Sequence, residues 1–285
     1  MRLMRVGPVG AERPTAWAGP GLGYDLSEFT DDIDGEFLSS DRFVAAQAAV
    51  RAGRLPEVNI AGQRVGAPIA RPQAVVCVGL NYADHAAEAN LPLPKDPVIF
   101  YKAPNTVVGP TDDILIPPGS QRTDWEVELG VVIGRRARYL GSAEEALDYV
   151  AGYAVSNDVS ERDFQFNHSG GQWSKGKSCE TFNPLGPWLV TVDEVPDPQR
   201  LGLRSFVNGE PRQDSTTAEM VFGVAELIHH LSQYTVLEPG DLINTGTPAG
   251  VAQSGRFPYL KPGDVVELEV DGLGRQRSRC RPAPL

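Results

Sequence analysis

The 30 glycines and 24 prolines distributed through 285 residues cut the chain into many short segments, and this constrains the fold more than any other feature. Glycine and proline close turns and interrupt helices, so frequent punctuation favours a strand-rich architecture with many turns over a helix bundle. The length and 41% hydrophobic content suffice for one substantial core and exclude wholesale disorder. The fold class expected is mainly β with flanking helices, α+β. Residues 1–70 read as a small N-terminal domain and connector, and residues 71–285 as the main domain. A formal net charge of -11 repels polyanions, which argues against nucleic-acid and acidic-membrane partners. No apolar run resembles a signal peptide or a bilayer span. Cys77, Cys179 and Cys280 are odd in number and form no CxxC pair, so they read as reduced thiols in a cytoplasmic protein.

Periodicity becomes informative after residue 70. AVVCVGL, residues 74–80, is a continuous apolar run of the buried-strand kind. In DWEVELGVVIG, strand alternation puts Trp125, Val127 and Leu129 on one side and Glu126, Glu128 and Gly130 on the other. Ser142 with Glu145 makes a capping box, which predicts a short helix over SAEEALDYV ending near Gly152. YAVSNDVS then predicts a strand with Ala154, Ser156, Asp158 and Ser160 on one face, where small neighbours leave room around Asp158. Asn208-Gly209 marks a hairpin turn, and Val221, Val224, Ala225, Ile228 and Leu231 recur at helical spacing.

Four constellations can carry chemistry. Glu126, Glu128 and Asp158 supply three hard oxygen ligands suited to Mg²⁺, Mn²⁺ or Ca²⁺, and buried acids at such spacing must be neutralised by a cation, a basic partner or solvent. The bland alternative is a solvated strand face, but the apolar run LGVVIG after Glu128 argues for burial. His85 and Glu88, three apart in NYADHAAEAN, meet on one helical face, as a general base and its orienting carboxylate do and as ordinary surface pairs also do. In ERDFQFNHSGGQWSKGKSCE, Gln165 and Lys177 are suited to the carboxylate and oxo groups of a substrate. Gly246-Thr247 lets backbone approach a ligand, while neither a P-loop nor a dinucleotide fingerprint is present.

GLNYADHAAE, FYKAPNTVVGP, DWEVELGVVIG, YVAGYAVSNDVSERDFQ, GKSCETFNPLGP, VNGEPRQ and TGTPAGV occur in this order over about residues 70–278. The series resembles the fumarylacetoacetate-hydrolase family, and most closely its acylpyruvate and 2,4-diketo-3-deoxy sugar acid branch. The resemblance implies a mixed β-sandwich roll, usually a homodimer, with Mg²⁺ or Mn²⁺ held by Glu126, Glu128 and Asp158. It also implies water activation by His85 and Glu88 in a lid segment, carbonyl polarisation by Lys177 with Lys175 as a neighbouring alternative, and substrate contacts from Arg162, Gln165, Gly246 and Thr247. The implied reaction is hydrolysis of a C–C bond in an acylpyruvate-type 2,4-dioxo acid, with the departing pyruvate enolate stabilised by the ion. Decarboxylation of an oxaloacetate-like acid and isomerisation of a hydroxydienoate are the alternatives on the same site. A non-catalytic binding protein is the alternative of a different class; a lost ligand or dyad would mark it, and neither is seen.

Overall fold

The computed structural model of the chain describes residues 1–88, 90 and 92–284. Its centre is an eleven-stranded sheet in which the strands run in the order Glu57–Asn59, Leu22–Asp25, Arg13–Gly19, Arg2–Val6, Leu189–Thr191, Val150–Asn157, Val127–Ile133, Leu242–Asn244, Val75–Gly79 and Val98–Lys102. Val65–Gly66 pairs with Arg2–Val6 off this path. The N-terminal strands therefore continue the sheet that carries the acidic residues, through the antiparallel pairing of Arg2 with Val190. A second, five-stranded sheet orders Glu210–Thr216, Gly202–Val207, Val265–Val270, Gly274–Pro282 and Ile114–Ile116.

The large sheet is covered on both faces, and this explains why all seven residues of Val127–Ile133 are buried. Val127, Leu129, Val131 and Ile133 join Trp125 in a core shared with Leu203, Val266 and Leu268 of the second sheet and Ile228 of the helix Val224–Ser232. Val132 packs into a separate core with Leu3, Ala16, Phe37 and Ala46 from the N-terminal segment. The alternation read from the sequence thus sorts side chains between two cores, and Glu126 and Glu128 share the parity of Val132.

Gly152 shows how closely the strands approach. A Cβ there would lie 2.3 Å from the Val190 carbonyl oxygen, inside any tolerable contact. Gly152→Ala is expected to destabilise the protein by about 1–3 kcal/mol, read as a lower urea midpoint at unchanged slope. An unchanged midpoint would show that Leu189–Thr191 gives way freely.

The hairpin at Asn208-Gly209 forms as expected, with φ of 54° and 81° at its two turn residues. Two expectations are corrected. The segment after Ser142 makes only a 3₁₀ turn, Ala146–Tyr149, and Val150 already begins a strand that runs through Gly152. Glu145 does accept backbone N–H donation from Gly141 and Ser142, at 2.6 and 3.3 Å, but pairing of the β-rich YVAGYAV run with Val127–Ile133 outcompetes the helix. Val221 lies before the amphipathic helix, its N–H bonded to the Asn81 carbonyl at 2.8 Å; the helix starts after Gly223, whose N–H donates to Glu226 at 2.8 Å. Among the described residues no helix is long and apolar enough to cross a membrane.

Candidate metal and substrate site

Glu126, Glu128 and Asp158 converge although they come from different strands. Val127 pairs with Asn157 and Glu128 with Ser156, so the chain entering one strand lies beside the chain leaving its neighbour. The Asp158 amide donates to the Glu126 carbonyl at 3.1 Å and fixes that juncture. One carboxylate oxygen from each of the three lies within 4.8 Å of the others, and all three residues are buried.

Basic groups surround two of the three acids. Lys177 Nζ stands 2.7 Å from Glu126 and 2.8 Å from Asp158, and Lys102 pairs with the other Asp158 oxygen while donating to the Val159 carbonyl at 3.0 Å. Arg162 lies 2.7 Å from Glu126 and 2.8 Å from Asp124, and donates to the Gln165 side-chain oxygen at 3.0 Å. Burial pushes the Glu126 carboxyl up, but Lys177 and Arg162 outweigh it and hold the group down at about 2. Lys177 is likewise buried, and Asp158 and Glu126 overcome that penalty and raise its pKa.

Glu128 differs. Burial, reinforced by the charges of Asp158 and Glu126, pushes its carboxyl well above the ordinary value. Its one backbone donor is the Gly246 amide at 2.8 Å, and among the described residues it forms no ion pair. Four carboxylates, with Asp124 included, thus face three cations, which leaves Glu128 without a basic counter-charge when it ionises. Hard oxygens, ligand spacing and uncompensated charge together fit a hard dication held by Glu126, Glu128 and Asp158.

A cavity of about 330 Å³ opens beside this cluster, at the small end of ligand pockets, which span about 300–1,000 Å³. Glu126, Glu128, Arg162, Gln165 and Lys177 line it, as do His85 and Glu88 from the short helix Ala83–Glu88. Ala89, in the same NYADHAAEAN segment, lies outside the described residues. His85 Nδ1 is 3.9 Å from Glu88, longer than a hydrogen bond, and is buried without a hydrogen-bond partner among the described residues. Glu88 also accepts from the Gly250 amide at 3.0 Å and from Arg256 at 3.1 Å. Burial raises its carboxyl, and His85, the Gly250 amide and Arg256 overcome that to hold it below the usual value.

Lys177 is the lysine drawn into the cluster; exposed Lys175 instead donates to the His168 carbonyl at 2.5 Å. Gly246 adopts φ of 100°, and its amide is committed to Glu128. Thr247 lines the cavity, with its hydroxyl donating to the Val127 carbonyl at 2.9 Å and accepting from Gln213 at 2.7 Å. Two participants escaped the sequence reading. Asp124 accepts from Arg162 and from the amides of Ala252 and Gln253, at 2.8 and 2.9 Å, which ties the loop after Thr247 to the acids. Lys102 is the other, fully buried at the end of Val98–Lys102.

Fold and site together define a β-roll protein with a buried acidic centre of the hard-cation kind at the end of a small cavity. Residues 74–281 match the family model for the fumarylacetoacetate (FAA) hydrolase C-terminal domain. A Burkholderia cenocepacia protein named "Putative hydrolase" is 50% identical over 286 residues, covering 99% of this chain and all of that one. Among solved structures, the fumarylacetoacetate hydrolase from Exiguobacterium antarcticum has a TM-score of 0.82 at 35% identity, covering 99% of this chain and 100% of that one. The 2-hydroxyhepta-2,4-diene-1,7-dioate isomerase from Mycobacterium marinum has a TM-score of 0.77 at 34% identity, with both chains fully covered. The chain belongs to the fumarylacetoacetate-hydrolase family.

Proposed function

We propose that the protein is a Mg²⁺- or Mn²⁺-dependent hydrolase that cleaves a C–C bond in an acylpyruvate-type 2,4-dioxo acid. The observation that carries this reading is one small cavity lined both by Glu126 and Glu128 of the three-carboxylate cluster and by the His85–Glu88 pair. A dication held by Glu126, Glu128 and Asp158 supplies Lewis-acid polarisation of the 2-oxo acid end. Lys177, kept in its cationic form against burial by the charges of Asp158 and Glu126, adds a positive charge beside the oxyanion that develops there. Gln165 accepts from Arg162 through its oxygen, which leaves its amide nitrogen to donate to the substrate carboxylate.

With Nδ1 turned toward Glu88, His85 Nε2 takes the proton of a water whose oxygen adds to the C4 carbonyl. The C3–C4 bond then breaks, its electron pair moves onto C3, and a proton delivered to C3 gives pyruvate and a free carboxylic acid. The test is a panel of acylpyruvates, oxaloacetate and hydroxydienoates with Mg²⁺ or Mn²⁺. Equimolar pyruvate and acid are expected from an acylpyruvate, with none after chelation. His85→Ala is expected to slow this reaction by roughly 10²–10⁴-fold. A His85→Ala variant at full rate would exclude the water-activating role.

Isomerisation is the second reading, favoured by the 34% identity to a protein named as an isomerase. It requires only proton relocation, so a product of unchanged mass and no pyruvate would select it.

A further inference from the structure

Away from the carboxylates the cavity changes character. Lys177 Nζ lies 5.1 Å from the centre of the Phe100 ring, Trp173 packs on Phe100 at 5.5 Å, and Phe166 meets Trp173 edge-on at 5.8 Å. Leu80 and Val251 line the same space. The indole presses on backbone: a Cβ at Gly79 would come within 2.3 Å of the Trp173 ring, so glycine at 79 is what permits this wall.

The charges of the lining residues are equally specific. Arg162 and Lys177 are the Arg and Lys side chains that line the cavity, and both are engaged by Asp124, Glu126 and Asp158. His85 faces Glu88. Ala89 and Leu91, outside the described residues, carry no charge. A carboxylate at the aromatic end would lose hydration with no cation free of an acidic partner among the described lining residues to replace it, whereas an apolar group gains burial and ring contacts there.

We propose that this end of the cavity selects an uncharged apolar substituent, aromatic in preference, and that Trp173 is the specificity-determining residue. The preferred substrate is then a monoanionic 2-oxo acid with an aryl or branched tail, and not a dicarboxylate. This rests on the reading that the carboxylate cluster takes the 2-oxo acid end.

Calorimetric binding to the Mg²⁺-loaded full chain tests the tail without requiring turnover. The probes are pyruvate, phenylpyruvate and 2-oxoglutarate, which share one head. Phenylpyruvate is expected to bind roughly tenfold or more tighter than pyruvate, and 2-oxoglutarate no tighter than pyruvate. Trp173→Ala should erase most of the phenylpyruvate gain and leave pyruvate unchanged. Phe166→Lys, at a rim position 45% exposed, should shift preference toward 2-oxoglutarate. Tighter binding of 2-oxoglutarate than of phenylpyruvate overturns the proposal, as does a phenylpyruvate gain that survives Trp173→Ala. If Trp173→Ala does not fold, the wild-type ranking and Phe166→Lys decide. Absence of pyruvate binding overturns the head-group reading as well, whereas pyruvate binding with a reversed tail ranking overturns the tail proposal alone.

Discussion

Glu128→Gln is expected to abolish turnover and lower Mg²⁺ affinity by more than roughly 100-fold, the upper range for loss of a partner outside the ligand shell. The metal-free protein is expected to keep its stability or gain some. Glu128 is 1% exposed, forms no ion pair among the described residues, and has a carboxyl pushed well up by burial and by Asp158 and Glu126. Glutamine retains an oxygen for the Gly246 amide and stands in for the neutral carboxyl that burial favours. Glu126→Gln is the contrast. It withdraws one of the two acidic partners of both Lys177 and Arg162, and breaking buried pairs in this way costs up to about 3–5 kcal/mol. Metal content after gel filtration, with denaturation in chelator, measures both variants. Stoichiometric metal in Glu128→Gln, or its collapse in chelator, would sink the assignment of Glu128 as a ligand.

The acids were legible because strand parity is a strict rule and both strands obey it. Glu126 and Glu128 fall on the side away from Trp125, Val127 and Leu129, and the register of Val127 with Asn157 carries Asp158 alongside. The same rule, extended two residues back, reaches Asp124, which belongs to the site and was passed over. Lys102 was equally within reach: in Val98–Lys102 it shares the parity of buried Phe100, while Tyr101 between them is 43% exposed. A lysine at an inward position of an apolar strand announces a buried acid partner. Other features had no local signature. That the Gly246 amide and Thr247 hydroxyl are committed to Glu128 and Val127 depends on how Leu242–Asn244 lies against Val127–Ile133. The aromatic wall likewise joins Phe100 to Trp173 across more than seventy residues of sequence. The misread helix after Ser142 has a different cause: a local cap competed with long-range strand pairing, and pairing won.

Lys102→Met separates the two kinds of cation that such a cluster can use. The side chain is fully buried, paired with Asp158 and bonded to the Val159 carbonyl, so the variant is expected to lose about 3–5 kcal/mol in chelator. Methionine fills a similar volume, so this loss reports charge and hydrogen bonding and not a cavity. The effect of metal should run the opposite way. Without Lys102 the four carboxylates face two cations, and the added negative charge strengthens the pull on a dication. Because a ligand stabilises in proportion to the logarithm of its concentration over Kd, each tenfold gain in affinity adds about 1.4 kcal/mol to the recovery on saturation. Melting of both proteins in chelator and in excess Mg²⁺ gives the comparison, and the variant should show the larger gain. An equal or smaller gain would mean that the ion does not share the field of Asp158 with Lys102, and Asp158 could not then be a ligand.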